Sequence, residues 1–83
     1  MNKKLFVANL PWSLDDAALG QLFAQAGKVL SAQIIMDRET GRSRGFGFVE
    51  MSTASEADSA IKNMNGSEVD GRKIVVNIAR PRN

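Results

Sequence analysis

The sequence predicts an α+β domain of two layers, with elements in the order β-α-β-β-α-β and both helices against one face of the sheet. Runs with strand patterning are separated by two amphipathic segments that have the helical period. A chain of 83 residues has the size of one domain, so we expect residues 1–83 to form a single unit. Right-handed crossovers place both helices on the same side, which leaves the other face of the sheet open.

The first strand is predicted over residues 4–10, an apolar run that ends before Pro11. The first helix follows with Asp15 as its N-cap, because this carboxylate can accept a hydrogen bond from a free backbone N–H of the first turn. Apolar residues then recur with the helical period: Leu19, Leu22, Phe23 and Ala26. Gly27 is expected to end this helix. Gly20 inside it costs about 1 kcal/mol relative to Ala.

The second strand is predicted over residues 29–36 and the third over residues 44–51. The segment between them, residues 37–43, is polar and contains Gly41, which favours a turn. We therefore expect a loop between these two strands.

The second helix opens with the capping box Thr53-Ala54-Ser55-Glu56. Its apolar stripe consists of four residues: Ala57, Ala60, Ile61 and Met64. The helix is expected to end near Asn65-Gly66. A turn at residues 69–71 then leads into a final strand over residues 73–79, which is rich in Ile and Val.

The composition excludes several classes of function. The chain has neither Cys nor His. It therefore lacks disulfides, Cys/His zinc sites, haem ligation by His, and the Ser-His and Cys-His nucleophile pairs. Only carboxylate, Mg²⁺-type or lysine chemistry would remain for an enzyme, and we expect no cofactor and no metal.

The sequence also carries no membrane signal. No apolar run approaches the roughly 18 residues of a membrane span. The basic start, Met1-Asn2-Lys3-Lys4, is not followed by the uninterrupted apolar segment of a signal peptide. We therefore expect a cytoplasmic protein with no membrane partner.

The charges are unevenly distributed, although the formal net charge is only +2. Most basic residues lie near the termini or where loops enter strands: Lys3, Lys4, Arg38, Arg42, Arg44, Arg72, Lys73, Arg80 and Arg82. The predicted helices carry mainly acids: Asp15, Asp16, Glu56 and Asp58. This pattern indicates a basic side and an acidic side.

Alternate residues of the predicted strands divide into two sets, because side chains alternate between the faces of a sheet. One set contains polar residues from all four strands: Lys4, Gln33, Arg44, Glu50 and Asn77. The other set is nearly all aliphatic, with glycines in the third strand where a helix could approach closely. The charged set must be the open face, and Ile35, Val75 and Ala79 share it.

The open face also carries Phe6, Phe46 and Phe48, three of the five aromatic residues of the chain. Phe in a strand usually belongs to the core. That alternative would bury Arg44 and Glu50, and it would leave five aliphatic residues in water: Leu5, Val7, Val49, Ile74 and Val76. An exposed aromatic cluster framed by basic residues is instead typical of a surface on which flat ligands stack, unpaired bases among them.

Two segments carry a resemblance to a known family. Residues 5–10, Leu-Phe-Val-Ala-Asn-Leu, and residues 44–51, Arg-Gly-Phe-Gly-Phe-Val-Glu-Met, resemble the hexamer and octamer of the RNA recognition motif family. Three flanking segments resemble the family as well: Pro11-Trp12, residues 37–43, and Asn65-Gly66 with Asp70-Gly71-Arg72. The resemblance covers essentially the whole chain and is most like bacterial or organellar single-domain members.

The resemblance implies a ferredoxin-like βαββαβ sandwich, with a four-stranded antiparallel sheet and two helices packed on one face. Two residues depart from the family pattern. Met51 stands where the family usually has Phe or Tyr, and its parity places it on the covered face, so the departure concerns core packing. Gly20 stands at an expected surface position of the first helix.

The resemblance also implies roles for individual residues. Phe6 and Phe48 match the aromatics that stack on successive bases, Phe46 matches the one that packs against the sugars, and Arg44 matches the residue that pairs with a phosphate. The expected RNA-binding set combines these with their neighbours on the open face and with basic residues beside it: Phe6, Phe46, Phe48, Arg44, Lys4, Gln33, Ile35, Asn77, Ala79, Arg80, Arg82 and Arg42.

The function expected from these residues is non-catalytic binding of single-stranded RNA by a monomer, with single-stranded DNA as an alternative ligand. A protein–protein interaction module of the same fold is the main alternative. Loss of the three Phe residues would favour it, and here all three are present. An enzyme or metal carrier of the same topology would need Cys ligands or a phosphate cradle, and residues 41–47 lack the Lys-Ser/Thr ending of a phosphate-binding loop.

Overall fold

The computed structural model describes residues 3–11, 13–36, 39 and 43–79, with the backbone alone at positions 36, 43 and 44. Along the chain its elements are β1 (Lys4–Ala8), α1 (Asp16–Ala24), β2 (Val29–Met36), β3 (Ser43–Met51), α2 (Ala54–Met64), β4 (Glu68–Val69), β5 (Arg72–Lys73) and β6 (Val75–Ile78). The predicted β-α-β-β-α-β order is confirmed, with one short hairpin added before the last strand.

The added hairpin pairs β4 with β5, where the sequence predicted only a turn followed directly by a strand. Asp70 and Gly71 both have positive φ, at 49° and 81°. Two consecutive residues with positive φ form the tight turn that suits the twist of a two-stranded ribbon. The final strand therefore begins at Val75, two residues after the predicted start.

The main sheet has the strand order β2-β3-β1-β6, and every neighbouring pair is antiparallel. β1 and β3 form its centre, in a register that runs from Lys4 opposite Glu50 to Ala8 opposite Phe46. β6 lies on the other side of β1 and β2 on the other side of β3. This is the predicted four-stranded antiparallel sheet, and it confirms the fold class.

The core lies between this sheet and the two helices. Its residues come from one face of the strands and from the inner faces of α1 and α2: Leu5, Val7, Leu10, Leu19, Phe23, Ile34, Val49, Met51, Ala57, Ala60, Met64, Ile74 and Val76. The aliphatic set of strand residues is thus the covered set, as predicted. None of the helices in the described ranges is long and apolar enough to cross a membrane.

The start of α1 is confirmed, because the Asp15 carboxylate accepts a hydrogen bond of 2.7 Å from the Ala18 N–H. The next acid, Asp16, has a separate role: its carboxylate accepts the backbone N–H of Ile34 at 2.7 Å and so ties α1 to β2. The helix ends at Ala24, earlier than the predicted stop at Gly27.

The start of α2 has one of the two hydrogen bonds of the predicted capping box. The Thr53 hydroxyl accepts the Glu56 N–H at 3.1 Å, as expected of an N-cap. The Glu56 carboxylate does not return to the Thr53 N–H. It accepts hydrogen bonds from the Lys28 N–H and from the hydroxyls of Ser52 and Thr53. The first turn of α2 is therefore tied to the turn between α1 and β2.

The atoms closest to a Cβ at the third-strand glycines belong to the backbone of Leu10, Gln33 and Ile34 rather than to a helix, which corrects the expectation from the sequence. A Cβ on Gly47 would lie 2.5 Å from the carbonyl oxygen of Gln33 in the neighbouring strand. Gly45 has a φ of +83°, a left-handed conformation that glycine adopts without strain. The register between β2 and β3 shifts in the same region, between Ile34 and Met36. These glycines therefore allow β2 and β3 to pair closely through an irregularity.

Candidate nucleic-acid interface

The open face of the sheet carries a cluster of three Phe rings at its centre. Phe6 of β1 lies directly opposite Phe48 of β3, and their ring centroids are 5.7 Å apart with planes inclined by 60°. Phe46 contacts the same Phe6 ring, at 5.6 Å and 38°. All three side chains are half-buried. Because the rings are tilted rather than stacked on one another, part of each ring face remains open to a ligand.

A row of four side chains crosses the whole sheet through this cluster. Gln33 of β2 lies opposite Phe48, Phe48 lies opposite Phe6, and Phe6 lies opposite Asn77 of β6. Gln33 and Asn77 are both exposed. A side-chain amide offers a donor and an acceptor, so each ring has a group beside it that can bond the edge of a stacked base.

Lys4 adds positive charge to the aromatic cluster. Its Nζ lies 5.1 Å from the centroid of the Phe48 ring, within the range of a cation–π contact. Its register partner on β3 is Glu50. The structure therefore brings together the cation, the amides and the rings that the sequence analysis placed on this face.

The apolar members of the predicted set border the cluster. Ile35 and Ala79 are half-buried, and the Ala79 N–H donates to the Lys4 carbonyl oxygen at 2.9 Å, which extends the pairing of β6 with β1. Val75, opposite Ala8, is 49% exposed.

Leu30 is a further exposed apolar residue, at 52%, and it lies next to a register shift between Val29 and Ser31. A bulge leaves no mark in the strand pattern, so the sequence analysis did not identify Leu30.

The predicted arginine contacts lie outside what the structure describes. Arg42, Arg80 and Arg82 are not among the described residues, and of Arg44 only the backbone, in β3, is described. Their contacts with phosphate therefore stay predictions from the sequence. Trp12 also lies outside the described residues.

Asn9 and Arg72 form a contact that the sequence analysis missed. The Arg72 guanidinium donates to Asn9 Oδ1 at 3.0 Å, and Asn9 Nδ2 donates to the Lys73 carbonyl oxygen at 2.7 Å. Asn9 has a φ of 59°, which Asn tolerates better than most residues. Asn at the end of a strand was the available signal, but its partners are 63 and 64 positions away.

The acidic side chains away from this face are other candidate sites. Hydrogen bonds from the Ser52 hydroxyl, the Lys28 N–H and the Thr53 hydroxyl lower the pKa of Glu56, which lies at the start of α2. Within the described ranges, Asp and Glu side chains form no group of three or more that could hold a metal ion.

The fold and the site together define an α+β domain that presents aromatic side chains on an open sheet face. The family model described as the RNA recognition motif matches residues 5–75. The chain belongs to the RNA recognition motif family.

Two curated relatives show how much of the chain is shared. It is 54% identical over 79 residues to the 31 kDa chloroplastic ribonucleoprotein of Nicotiana sylvestris, which covers 95% of this chain and 25% of that protein. It is also 54% identical over 82 residues to glycine-rich RNA-binding protein 4, mitochondrial, of Arabidopsis thaliana, with 99% and 60% covered. The chain thus spans from about a quarter to about 60% of these relatives.

Solved structures have the same architecture. The crystal structure of RNA-binding protein PG1 superposes with a TM-score of 0.90 at 44% identity and covers 98% of both chains. The Sex-lethal protein–RNA complex superposes with a TM-score of 0.93 at 34% identity, over 100% of this chain and 50% of that one.

The expected cytoplasmic location is contradicted by these relatives, which are chloroplastic and mitochondrial proteins. The expectation was based on the lack of a membrane-span pattern and of an apolar signal-peptide pattern in residues 1–83. That feature is uninformative about organelles, because their targeting segments are amphipathic rather than apolar. The organellar part of the sequence resemblance agrees with the relatives.

Proposed function

We propose that this protein binds single-stranded RNA on the open face of its sheet, as a monomeric single domain without catalysis, metal or cofactor. Bases would stack on Phe6 and Phe48, and Phe46 would pack against the sugars. The observation that carries the proposal is the half-exposed Phe6–Phe48 pair, which lies at the centre of a polar face with Lys4 beside it.

Stacking explains why the ligand would be a nucleic acid. Every base has a π-face, and stacking on an aromatic side chain is worth about 1–3 kcal/mol per base. The row Gln33–Phe48–Phe6–Asn77 supplies amides that can bond base edges at both ends. Basic side chains close to the rings can neutralise the phosphates that link the bases.

The strand would have to be single, because bases inside a duplex are stacked on each other and cannot lie on protein rings. The rings are 5.6 and 5.7 Å apart, so two or three neighbouring bases can be held at once. We expect a site of roughly two to four nucleotides and micromolar or weaker affinity for most short RNAs. Single-stranded DNA would compete wherever 2′-hydroxyl contacts contribute little.

Four arginines complete the proposal: Arg42, Arg44, Arg80 and Arg82. Arg44 lies in β3, Arg42 directly precedes that strand in the sequence, and Arg80 and Arg82 follow β6. All four are therefore close along the chain to residues of the open face. Their guanidinium groups suit phosphate oxygens, which they can contact through two parallel hydrogen bonds.

The test is a titration of the 83-residue chain with single-stranded tetranucleotides of mixed sequence, followed residue by residue by NMR. We expect the largest shifts at backbone amides of β1 and β3, including Phe6 and Phe48, and small shifts along α2. The same sequences within the stem of a stable RNA hairpin serve as the control and should shift these amides far less. Shifts confined to the helices, or none at millimolar RNA, would refute RNA binding on this face, and the second result would favour a protein-interaction module.

A further inference from the structure

The side chain of Asn9 joins the end of β1 to the β4–β5 hairpin. Its carbonyl oxygen accepts from the Arg72 guanidinium at 3.0 Å, and its amide donates to the Lys73 carbonyl oxygen at 2.7 Å. Asn9, Arg72 and Lys73 are all exposed to solvent. The contact therefore holds a cation at the surface rather than inside the core.

The position of this cation relative to the aromatic cluster follows from the register. Asn9 directly follows Ala8, and Ala8 lies opposite Phe46 on one side and Val75 on the other. Consecutive Cα atoms are about 3.8 Å apart, and paired Cα atoms about 4.5–5.5 Å. The Cα of Asn9 is thus separated from the Cα of Phe46 by one step along β1 and one step across to β3. The Asn9 side chain meets Arg72 and Lys73 on the β6 side of β1, so Arg72 lies at the same end of the sheet as Phe46 and across β1 from it.

The chemistry of Arg72 suits a phosphate. A guanidinium has five N–H donors, and the Asn9 oxygen takes one of them, which leaves donors for a further acceptor. The hairpin also carries acids, Glu68 and Asp70, yet among the described residues the Arg72 guanidinium forms an ion pair with neither. The neutral Asn9 oxygen thus holds the Arg72 guanidinium at the end of β1 without neutralising its charge.

We infer that Arg72, positioned by Asn9, is a phosphate-binding residue at the end of the sheet where Phe46 lies. There the RNA strand would pass from the aromatic cluster onto the β4–β5 hairpin. This inference rests on the proposed RNA binding and adds a contact on the opposite side of Ala8 from Phe46. Val75, exposed beside Ala8, would then lie under the strand between the rings and Arg72.

The first experiment measures how RNA affinity depends on salt for the parent, Arg72→Ala, Arg72→Lys and Lys62→Ala. Each phosphate contact on a single strand adds about 0.7 to the slope of log affinity against log salt. Arg72→Ala should lose that amount, so that over a fourfold rise in salt its affinity falls about 2.6-fold less than that of the parent. Arg72→Lys keeps the charge and should keep most of the slope.

Lys62→Ala is the matched control, because it removes one exposed cation from α2, on the helix side, where it pairs with Asp58. Its slope should equal that of the parent. A slope for Arg72→Ala equal to that of the parent would overturn the inference, as would equal losses in Arg72→Ala and Lys62→Ala.

The second experiment tests the positioning role of Asn9 with Asn9→Gly, since glycine adopts the φ of 59° without strain. The substitution should weaken RNA binding when it is made alone, and it should have no further effect when Arg72→Ala is already present. Equal weakening in both backgrounds would show that Asn9 does not act through Arg72. A hairpin clamp with no RNA role would instead lower the melting temperature and leave affinity and slope unchanged, which also overturns the inference.

The same titrations separate this inference from the proposed function. Phe48→Ala should weaken RNA binding whichever way the Arg72 variants behave. If Phe48→Ala weakens binding and Arg72→Ala keeps the slope, the phosphate site alone is wrong. If the parent binds no RNA, both proposals are wrong.

Discussion

Phe6 and Phe48 are register partners at the centre of the sheet, with their ring centroids 5.7 Å apart and their planes inclined by 60°. Each ring therefore has the other on one side and an amide on the other, Asn77 beside Phe6 and Gln33 beside Phe48. Because backbone hydrogen bonds fix the register of the two strands, and the rings contact each other, the two rings lie side by side before any ligand arrives. Such preorganisation limits the entropy lost when bases stack.

Replacing Phe48 with Ala should weaken RNA binding strongly and stability only slightly. The variant loses one stacking surface, worth about 1–3 kcal/mol, or about five- to 150-fold in affinity. Its cross-strand contact with Phe6 contributes roughly 0.2–1 kcal/mol to folding. RNA titrations by fluorescence anisotropy and thermal melts measure the two effects.

Phe48→Tyr is the matched control, because it keeps the ring and should bind within a few-fold of the parent. The assignment of Phe48 to the ligand face would be contradicted if Phe48→Ala melted far below the parent while binding RNA normally.

Replacing Met51 with Ala should have the opposite profile. Met51 is fully buried on the covered face of β3, only three residues from Phe48. Removing its side chain leaves a cavity between sheet and helices, which should cost about 2–5 kcal/mol of unfolding free energy. The folded fraction should bind RNA like the parent. Urea unfolding and RNA titration on the same sample decide this, and a stable variant with impaired RNA binding would reverse the assignment of the faces.

The two-residue period explains why so much of this site was predictable. Gly47, Val49 and Met51 lie on the covered face and Phe46 and Phe48 on the open face, because neighbouring side chains in a strand must alternate. Local hydrogen bonds were equally accessible, as the Asp15 cap shows. These features depend on residues within a few positions of each other.

The features that the sequence did not predict depend on distant partners. Asp16 bonds the Ile34 N–H across 18 positions, Glu56 bonds the Lys28 N–H across 28, and Arg72 bonds Asn9 across 63. No local pattern specifies such a pairing, since it requires the packed arrangement of helices and strands. The role of Gly47 was misinterpreted for the same reason.

Substituting Ala at two glycines should change stability in opposite directions. At Gly47 the new Cβ would lie 2.5 Å from the Gln33 carbonyl oxygen and 3.2 Å from the Ile34 Cα, and these backbone atoms cannot rotate away. We expect a loss of about 1–3 kcal/mol in unfolding free energy, as for overpacking. RNA binding should also weaken, because β2 must move and Gln33 with it.

Gly20→Ala is the companion variant. Its Cβ would meet the Ala32 Cβ at 3.6 Å, an ordinary contact, inside α1. Ala is favoured over Gly in a helix by about 0.5–1 kcal/mol, so this variant should be more stable than the parent and bind RNA equally. A destabilised Gly20→Ala, or a Gly47→Ala as stable as the parent, would contradict the packing described here. Urea midpoints of both variants measure the contrast.

Glu56 should make folding less stable in acid. Hydrogen bonds from the Ser52 hydroxyl, the Lys28 N–H and the Thr53 hydroxyl lower its pKa in the folded protein below the ordinary value of 4.5. Its contribution to stability is therefore fully present above that value and is lost as the pH falls through the lower folded pKa. Glu56→Gln should flatten the decline of the urea midpoint from neutral pH to about pH 3. Glu68→Gln, which removes one exposed carboxylate from the hairpin, is the control. A Glu56→Gln profile parallel to that of the parent would show that the Lys28 and Ser52 hydrogen bonds do not stabilise the ionised form.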